Sequence, residues 1–245
     1  ERYSNSTREV AQDGRRGALM LTISIKHPDA ERFIDAKVDT SKVTGANVSV
    51  KIDDEFMRAA IAGKPYHQQF PIDAEKPMYE QDIDARALWK KIIHNAWKSA
   101  EPGVLFWDTI LRESIPDCYA DEGFNTVSTN PCGEIPLCPY DSCRLLALNL
   151  YSYVDKPFTA EASFDFSKFR DHVGKAMRMM DDIIDLELEK VEQIIAKIDA
   201  DPEEADIRYV ESNLWKKVRE MALKGRRTGL GITAEGDMIA ALGMR

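Results

Sequence analysis

Four cysteines, four histidines and no Cys-x-x-Cys leave little from which to build a metal site or a disulfide frame. A chain of 245 residues does not need one. At this size folding buries roughly 70–75% of the unfolded surface, enough for a core without staples. Long apolar runs are also missing. The longest nearly uncharged stretch, Leu145 to Val154, carries Asn149 and Ser152 and is far too short to span a bilayer. There is no internal repeat, low-complexity tract or Gly/Ser linker. With 44% apolar and 31% charged residues, a disordered, collagen-like or coiled-coil chain is excluded. Positive charge is in deficit: 33 Lys and Arg face 42 Asp and Glu, a net charge of −9. That excludes a protein coating DNA along its surface and leaves room only for a local basic patch that holds a nucleotide. The first twelve residues are charged and polar, unlike a secretory leader, so a cytoplasmic location with reduced thiols is expected. The chain starts with Glu1 rather than Met, which suggests a piece of a longer protein.

Strands and helices alternate in the first half. Ala18 to Ile25 is an apolar, β-branched run after Gly14-Arg-Arg-Gly17, the pattern of a buried strand. His27-Pro-Asp29 breaks it, with Asp29 placed to cap a helix that turns Phe33, Ile34 and Val38 inward. Gly45 to Ile52 reads as a second strand, and Asp53 opens a short helix that ends at Gly63-Lys-Pro65. The order predicts parallel βα units. Residues 85–97 space Ala85, Leu88, Trp89, Ile92, Ile93, Ala96 and Trp97 as one helical stripe; Pro102-Gly103 stops it, and Val104 to Trp107 follows as a strand. Leu145 to Val154 is again strand-like. A long helix is predicted from Phe166 to Ile198, with Val173, Met177, Met180, Ile184, Leu188, Val191 and Ile195 on its apolar stripe. Another follows over Leu214 to Leu223, and Gly225 to Gly236 reads as a glycine-rich turn into a last helix.

Ile115 to Asp141 has no periodicity and is rich in Pro, Gly, Asn, Thr and Cys. A loop of that length inside a compact domain is usually functional. It holds Thr129-Asn-Pro-Cys-Gly-Glu-Ile135, where Asn130, Cys132 and Glu134 alternate with Pro and Gly. In an extended segment alternate residues point the same way, which would gather an amide, a thiol and a carboxylate around one substrate. A turn with a space-filling cysteine is the competing reading. Cys143 fits a buried core thiol, one half of a redox pair, or, weakly, a zinc ligand with Cys118, Cys132 and Cys138. Gly14-Arg-Arg-Gly17, with Gln12 beside it, is either a phosphate- or base-contacting loop or a solvated basic turn. Gly229-Leu-Gly231 lacks the third glycine of a dinucleotide fingerprint and is discounted. His27, His67, His94 and His172 form no metal-spaced set and read as structural; Met177, Met179 and Met180 read as core filler.

At Asn130-Pro-Cys-Gly-Glu134 the chain resembles the catalytic subunit of ribonucleotide reductase, and most closely its adenosylcobalamin-dependent class. Further matches follow in the family's order: Gly14-Arg-Arg-Gly-Ala18, His27-Pro-Asp29, Thr44-Gly-Ala-Asn-Val-Ser-Val50 with Asp54-Glu-Phe56, Glu101-Pro-Gly-Val104 with Asp108, Ser142-Cys143 with Ala147-Leu-Asn149, and Arg226-Arg-Thr-Gly-Leu-Gly231. The resemblance implies an α/β fold. Residues 1–245 would form a single domain, the central part of a ten-stranded α/β barrel, with a finger loop over about residues 128–140 threaded through it. It implies that Cys132 carries a thiyl radical that removes the 3′ hydrogen of a ribose, that Glu134 takes the 3′-hydroxyl proton, and that Asn130 hydrogen-bonds the same region. Cys143 matches one of two thiols that supply reducing equivalents as the 2′-hydroxyl leaves as water. Gln12, Arg15 and Arg16 match the segment that links a bound effector nucleotide to substrate choice. No protein metal ligands are expected.

The implied cofactor is adenosylcobalamin, the alternative being a radical delivered by a separate metal-containing subunit. The implied partners are a ribonucleotide substrate, a nucleotide effector, a dithiol reductant such as thioredoxin, and complementary segments or a second copy of the chain. Neither a membrane nor direct DNA binding is expected. In the family the partner of Cys143 lies upstream of the segment matched here, and the phosphate-binding segment and shuttle cysteines lie downstream. The chain alone is therefore expected to be inactive. The alternative reading is a non-catalytic nucleotide-binding or assembly fragment of a split reductase.

Overall fold

The computed structural model describes residues 1–10, 14–15 and 17–244. The chain divides into two compact units, Glu1–Pro139 and Tyr140–Arg245.

The first unit begins with α1 (Arg2–Glu9), whose Ser4 is buried. Ser4 Oγ accepts a hydrogen bond from Gly45 N at 2.8 Å. Gly45 is required by this approach, since a Cβ there would stand 2.3 Å from the Ser4 carbonyl oxygen. β1 (Met20–Ser24), β2 (Asn47–Ile52) and β5 (Gly103–Phe106) form a three-stranded parallel sheet in the order β1-β2-β5. The parallel order expected from the strand–helix alternation is present. α2 (Ala30–Ile34) and α3 (Asp54–Ala62) follow β1 and β2. Asp53 caps α3 by accepting from Phe56 N, whereas Asp29 makes no such cap. Ile34 is buried as expected, but α2 ends early and leaves Val38 41% exposed.

α4 (Ala85–Ser99) buries Ala85, Leu88 and Ile92. Trp97 and Ile93, expected on the same stripe, are exposed, Trp97 at 81%. The antiparallel hairpin of β3 (Pro65–Phe70) and β4 (Tyr79–Asp84), between α3 and α4, has no counterpart in the sequence reading. Its alternation is of mostly polar residues, so it carries no apolar signal. One core joins these elements: Ile25, Ile34, Val50, Ile52, Phe56, Tyr66, Leu88 and Ile92 are all buried in it. α5 (Trp107–Glu113) and a 3₁₀ turn (Pro116–Glu122) lead to β6 (Ser128–Thr129) and β7 (Pro136–Leu137), which pair antiparallel.

The second unit starts with β8 (Leu145–Asn149), then a 3₁₀ turn (Leu150–Tyr153), β9 (Val154–Asp155) and β10 (Ser163–Phe164). α6 (Phe166–Asp199) and α7 (Ala205–Gly225) are long and pack on each other, and β11 (Gly229–Thr233) precedes α8 (Glu235–Ala241). β11 pairs parallel with β8. The glycine-rich stretch expected to be a turn is thus partly a strand, extended because it has a ladder partner. Of the α6 stripe, Met180, Ile184, Leu188 and Val191 are buried. Met177 and Met179 are exposed, so of the three methionines read as core filler only Met180 acts as such. Among the described residues the ladders do not close into a barrel, and ten barrel strands are not seen; the architecture is mixed α/β.

Candidate active site

β6 and β7 pair Ser128 with Leu137 and Thr129 with Pro136, which makes Asn130 to Ile135 the loop of a short hairpin. The loop is held from within. Asn130 N donates to Ile135 O at 3.2 Å, and Gly133 N donates to Asn130 O at 3.0 Å. The Asn130 side chain joins this closure, its Oδ1 accepting from Ile135 N at 3.0 Å. Gly133 takes φ +87, the left-handed conformation that favours glycine, and turns the chain between Cys132 and Glu134. The segment is therefore a turn rather than the extended run expected, so strand alternation does not bring its side chains together.

Cys132 and Glu134 are exposed at the loop, and Asn130 is half-buried at its base. With its amide oxygen bonded to Ile135 N, Asn130 has its NH₂ group left to offer a ligand. An exposed thiol and an exposed carboxylate flank one glycine. Such an arrangement can give and take a hydrogen atom at sulfur and a proton at oxygen on one bound molecule.

The loop is also held from outside. β2 buries Val48, Val50 and Ile52 and turns Asn47 and Lys51 to its other side. Asn47 Nδ2 donates to Pro131 O at 2.9 Å, and Lys51 Nζ donates to Val127 O. From β1, Thr22 and Ser128 share a hydroxyl hydrogen bond of 3.3 Å. Lys51 also lies 4.0 Å from the centre of the Trp107 ring, and burial lowers its pKa from the ordinary lysine value. At the far end Asp117 accepts from Thr126 N at 3.0 Å and from Thr126 Oγ1 at 2.5 Å. None of these anchors was recognised in the sequence. Its only trace is the polar phase of β2, Asn47 and Lys51 alternating with valines and an isoleucine.

Cys143 lies half-buried in the second unit, in the segment before β8. Both sides of it are tied down. The Asp141 carboxylate accepts from Arg227 Nη1 at 2.5 Å. Buried Arg144 donates from Nε to Glu187 at 2.6 Å and from Nη1 to Arg227 O at 2.9 Å. Arg15 is exposed; Gln12 and Arg16 lie outside the described residues. The histidines have partners within the fold: His27 Nδ1 accepts from Asp29 N at 3.0 Å, His67 bonds Asp82 at 2.9 Å, His94 packs beside Trp97, and His172 faces the Tyr153 hydroxyl at 3.1 Å.

The model of the ribonucleotide reductase barrel domain matches residues 2–245. The chain belongs to the ribonucleotide reductase family. A vitamin B12-dependent ribonucleoside-diphosphate reductase from Thermoplasma acidophilum is 35% identical over 242 residues, covering 98% of this chain and 27% of that protein. One from Mycobacterium tuberculosis is 29% identical over 245 residues, covering 99% of this chain and 30% of its own length. The reductase-family chain thus spans less than a third of these relatives. Among solved structures, the class Id ribonucleotide reductase alpha subunit of Actinobacillus ureae superposes with a TM-score of 0.58 at 18% identity, over 94% of this chain and 36% of that one. That likeness concerns the fold. Among the described residues no helix is long and apolar enough to cross a membrane.

Proposed function

We propose that this chain is the radical-bearing barrel portion of an adenosylcobalamin-dependent ribonucleotide reductase, and that Cys132 is its radical thiol. The observation that carries this is a thiol exposed at an anchored hairpin loop, between the half-buried amide of Asn130 and the exposed carboxylate of Glu134. The vitamin B12-dependence in the relatives' names supports the cofactor. Both units would be parts of one barrel domain, whose ten strands close only with chain beyond the described ladders.

Adenosylcobalamin, when bound, supplies an organic radical by homolysis of its cobalt–carbon bond. It carries its own metal, so this chain needs only a thiol within reach of it, and the exposed Cys132 fits that demand. The Cys132 thiyl takes a hydrogen atom from C3′ of a ribonucleotide, forming S–H and leaving the electron on the sugar. Glu134 takes the 3′-hydroxyl proton, and the Asn130 amide donates to the sugar hydroxyls. The 2′-hydroxyl leaves as water with a proton from the thiol pair of Cys143 and a second cysteine. That pair supplies C2′ with two electrons and its other proton and ends as a disulfide. Glu134 returns its proton to the 3′-oxygen, and the Cys132 S–H returns its hydrogen atom to C3′, which restores the thiyl. A dithiol reductant such as thioredoxin then reduces the disulfide. Gln12, Arg15 and Arg16 would relay an effector nucleotide to substrate choice. The reaction belongs in the cytoplasm, where thiols stay reduced.

The test is Cys132→Ser in the full-length reductase, assayed with adenosylcobalamin and a dithiol. Serine nearly matches cysteine in volume, but its O–H bond is too strong for the oxygen radical to form readily. Loss of all ribonucleotide reduction with an unchanged circular dichroism spectrum is expected. Measurable turnover would remove Cys132 from the chemistry.

A further inference from the structure

Two sets of hydrogen bonds act on the Asn130–Ile135 loop, and they do different things. The bonds within it, Asn130 N to Ile135 O, Gly133 N to Asn130 O and Ile135 N to Asn130 Oδ1, give the loop its shape. They would survive if the whole hairpin tilted. The bonds from the sheet give it a place. Two of these, Thr22 to Ser128 and Lys51 to Val127 O, hold the arm of the hairpin. The third reaches the loop itself: Asn47 Nδ2 stands 2.9 Å from Pro131 O. Among the described residues it is the side chain of the sheet that bonds to the loop.

That carbonyl belongs to the peptide whose nitrogen is Cys132 N. Peptide planarity makes the link rigid, so a displacement of the Pro131 oxygen carries the Cys132 Cα with it. Pro131 contributes a fixed φ, which removes one of the torsions that could absorb such a displacement. Asn47 itself opens β2, where it pairs with Met20 of β1; β5 joins the ladder from Ser49 onward, and Val48 and Val50 are buried on the opposite face. The donor's backbone is therefore held in the parallel sheet, while its own side chain is exposed.

We infer that Asn47 is a positioning residue, which sets where the Cys132 sulfur stands by holding the Pro131 carbonyl. The inference rests on Cys132 being the radical thiol and adds to it the group that aims that thiol. Hydrogen-atom transfer demands close approach of sulfur to carbon, and misplacement of a reacting group by about 1 Å can cost about 10²-fold in rate. An exposed side chain contributes little to core packing. Loss of this amide should therefore leave the fold standing and show in the chemistry.

The experiment uses the full-length reductase with adenosylcobalamin, comparing the parent with Asn47→Ala, Asn47→Gln and Asn47→Asp. Asn47→Ala is expected to lower kcat by up to about tenfold, the worth of one hydrogen bond, with KM nearly unchanged. The rate of iodoacetamide alkylation at Cys132, read by peptide mass spectrometry without turnover, should change as well. Asn47→Gln keeps an amide donor and should recover a substantial part of both. Should Asn47→Ala fail to fold, Asn47→Asp, of the same shape but without the NH₂, carries the comparison and should behave as Asn47→Ala was expected to. A folded Asn47→Ala or Asn47→Asp with parental kcat and alkylation rate overturns the inference, and so does a rise in KM alone. Cys132→Ser keeps the two claims apart. If it is dead while the Asn47 variants behave as the parent, only the role of Asn47 fails; if it turns over, the reading of Cys132 fails whatever Asn47 does.

Discussion

At the scale of single residues, the carboxylate beside the thiol and a phenol in the core make different demands. Glu134 is exposed, so its exchange for the isosteric amide should leave the hairpin as it is. Glu134→Gln keeps the shape but removes the proton acceptor, and general acid–base groups contribute about 10²–10⁴-fold to rate. A loss of that order in kcat with little change in nucleotide affinity is expected, and an unchanged rate would make Glu134 structural. Tyr66 is buried, with its hydroxyl 2.5 Å from Asp53 Oδ2 and its ring edge-on to Phe56 at 5.2 Å. Burial, and then the Asp53 carboxylate, push its pKa up from the ordinary value of 10.0. A proton held more tightly in the folded than in the unfolded state contributes stability that is complete below the unfolded pKa and is lost as pH rises above it. Urea unfolding should therefore show stability falling above pH about 10. Tyr66→Phe should flatten that alkaline slope and cost about 1 kcal/mol at neutral pH for the lost hydrogen bond. An unaltered slope would locate it elsewhere.

At the scale of elements, the β6–β7 hairpin is a small structure that, on the proposed reading, must hold a reactive thiol still. Two ladder pairs cannot stabilise a hairpin alone, so its order comes from the β1–β2 sheet through Thr22, Asn47 and Lys51. Gly133 is the point where a side chain would be strained. A Cβ added there would meet Leu105 Cδ2 at 3.6 Å, an ordinary contact, so space does not demand glycine. The φ of +87 does. Gly133→Ala should cost about 1–2 kcal/mol, the cost of a left-handed residue with a side chain. Because part of that strain can be relieved by shifting Cys132, kcat should fall more than global stability does. Parallel measurement of kcat and thermal unfolding checks this; equal stability and equal turnover would mean the loop relaxes without moving the thiol.

At the scale of the whole molecule, the chain covers 27% of the Thermoplasma relative and 30% of the Mycobacterium one. By the family resemblance the second redox thiol and the phosphate-binding segment lie outside the part matched here. The 245-residue chain alone should give no ribonucleotide reduction with adenosylcobalamin and excess dithiol, and activity should appear when the flanking segments are restored. Turnover by the isolated chain as a monodisperse monomer would show that this stretch holds a complete site. Family membership was legible in one dimension, as were α3, α4, α6 and the parallel order of β1, β2 and β5. Helical stripes, the opening of α3 at Asp53, and β-branched runs act over a few positions, and neighbours in sequence suffice to specify them. The outward turn of Val38 and Trp97, the hairpin of β3 and β4, and the strand character of Gly229–Thr233 depended on partners far along the chain. So did the anchoring of the loop: Asn47 and Pro131 are 84 positions apart, and a hydrogen bond between them exists only once the sheet has formed. Local periodicity specifies which residues form an element, but long-range bonds decide where a loop stands, because a backbone turn is free to tilt until something outside it holds it.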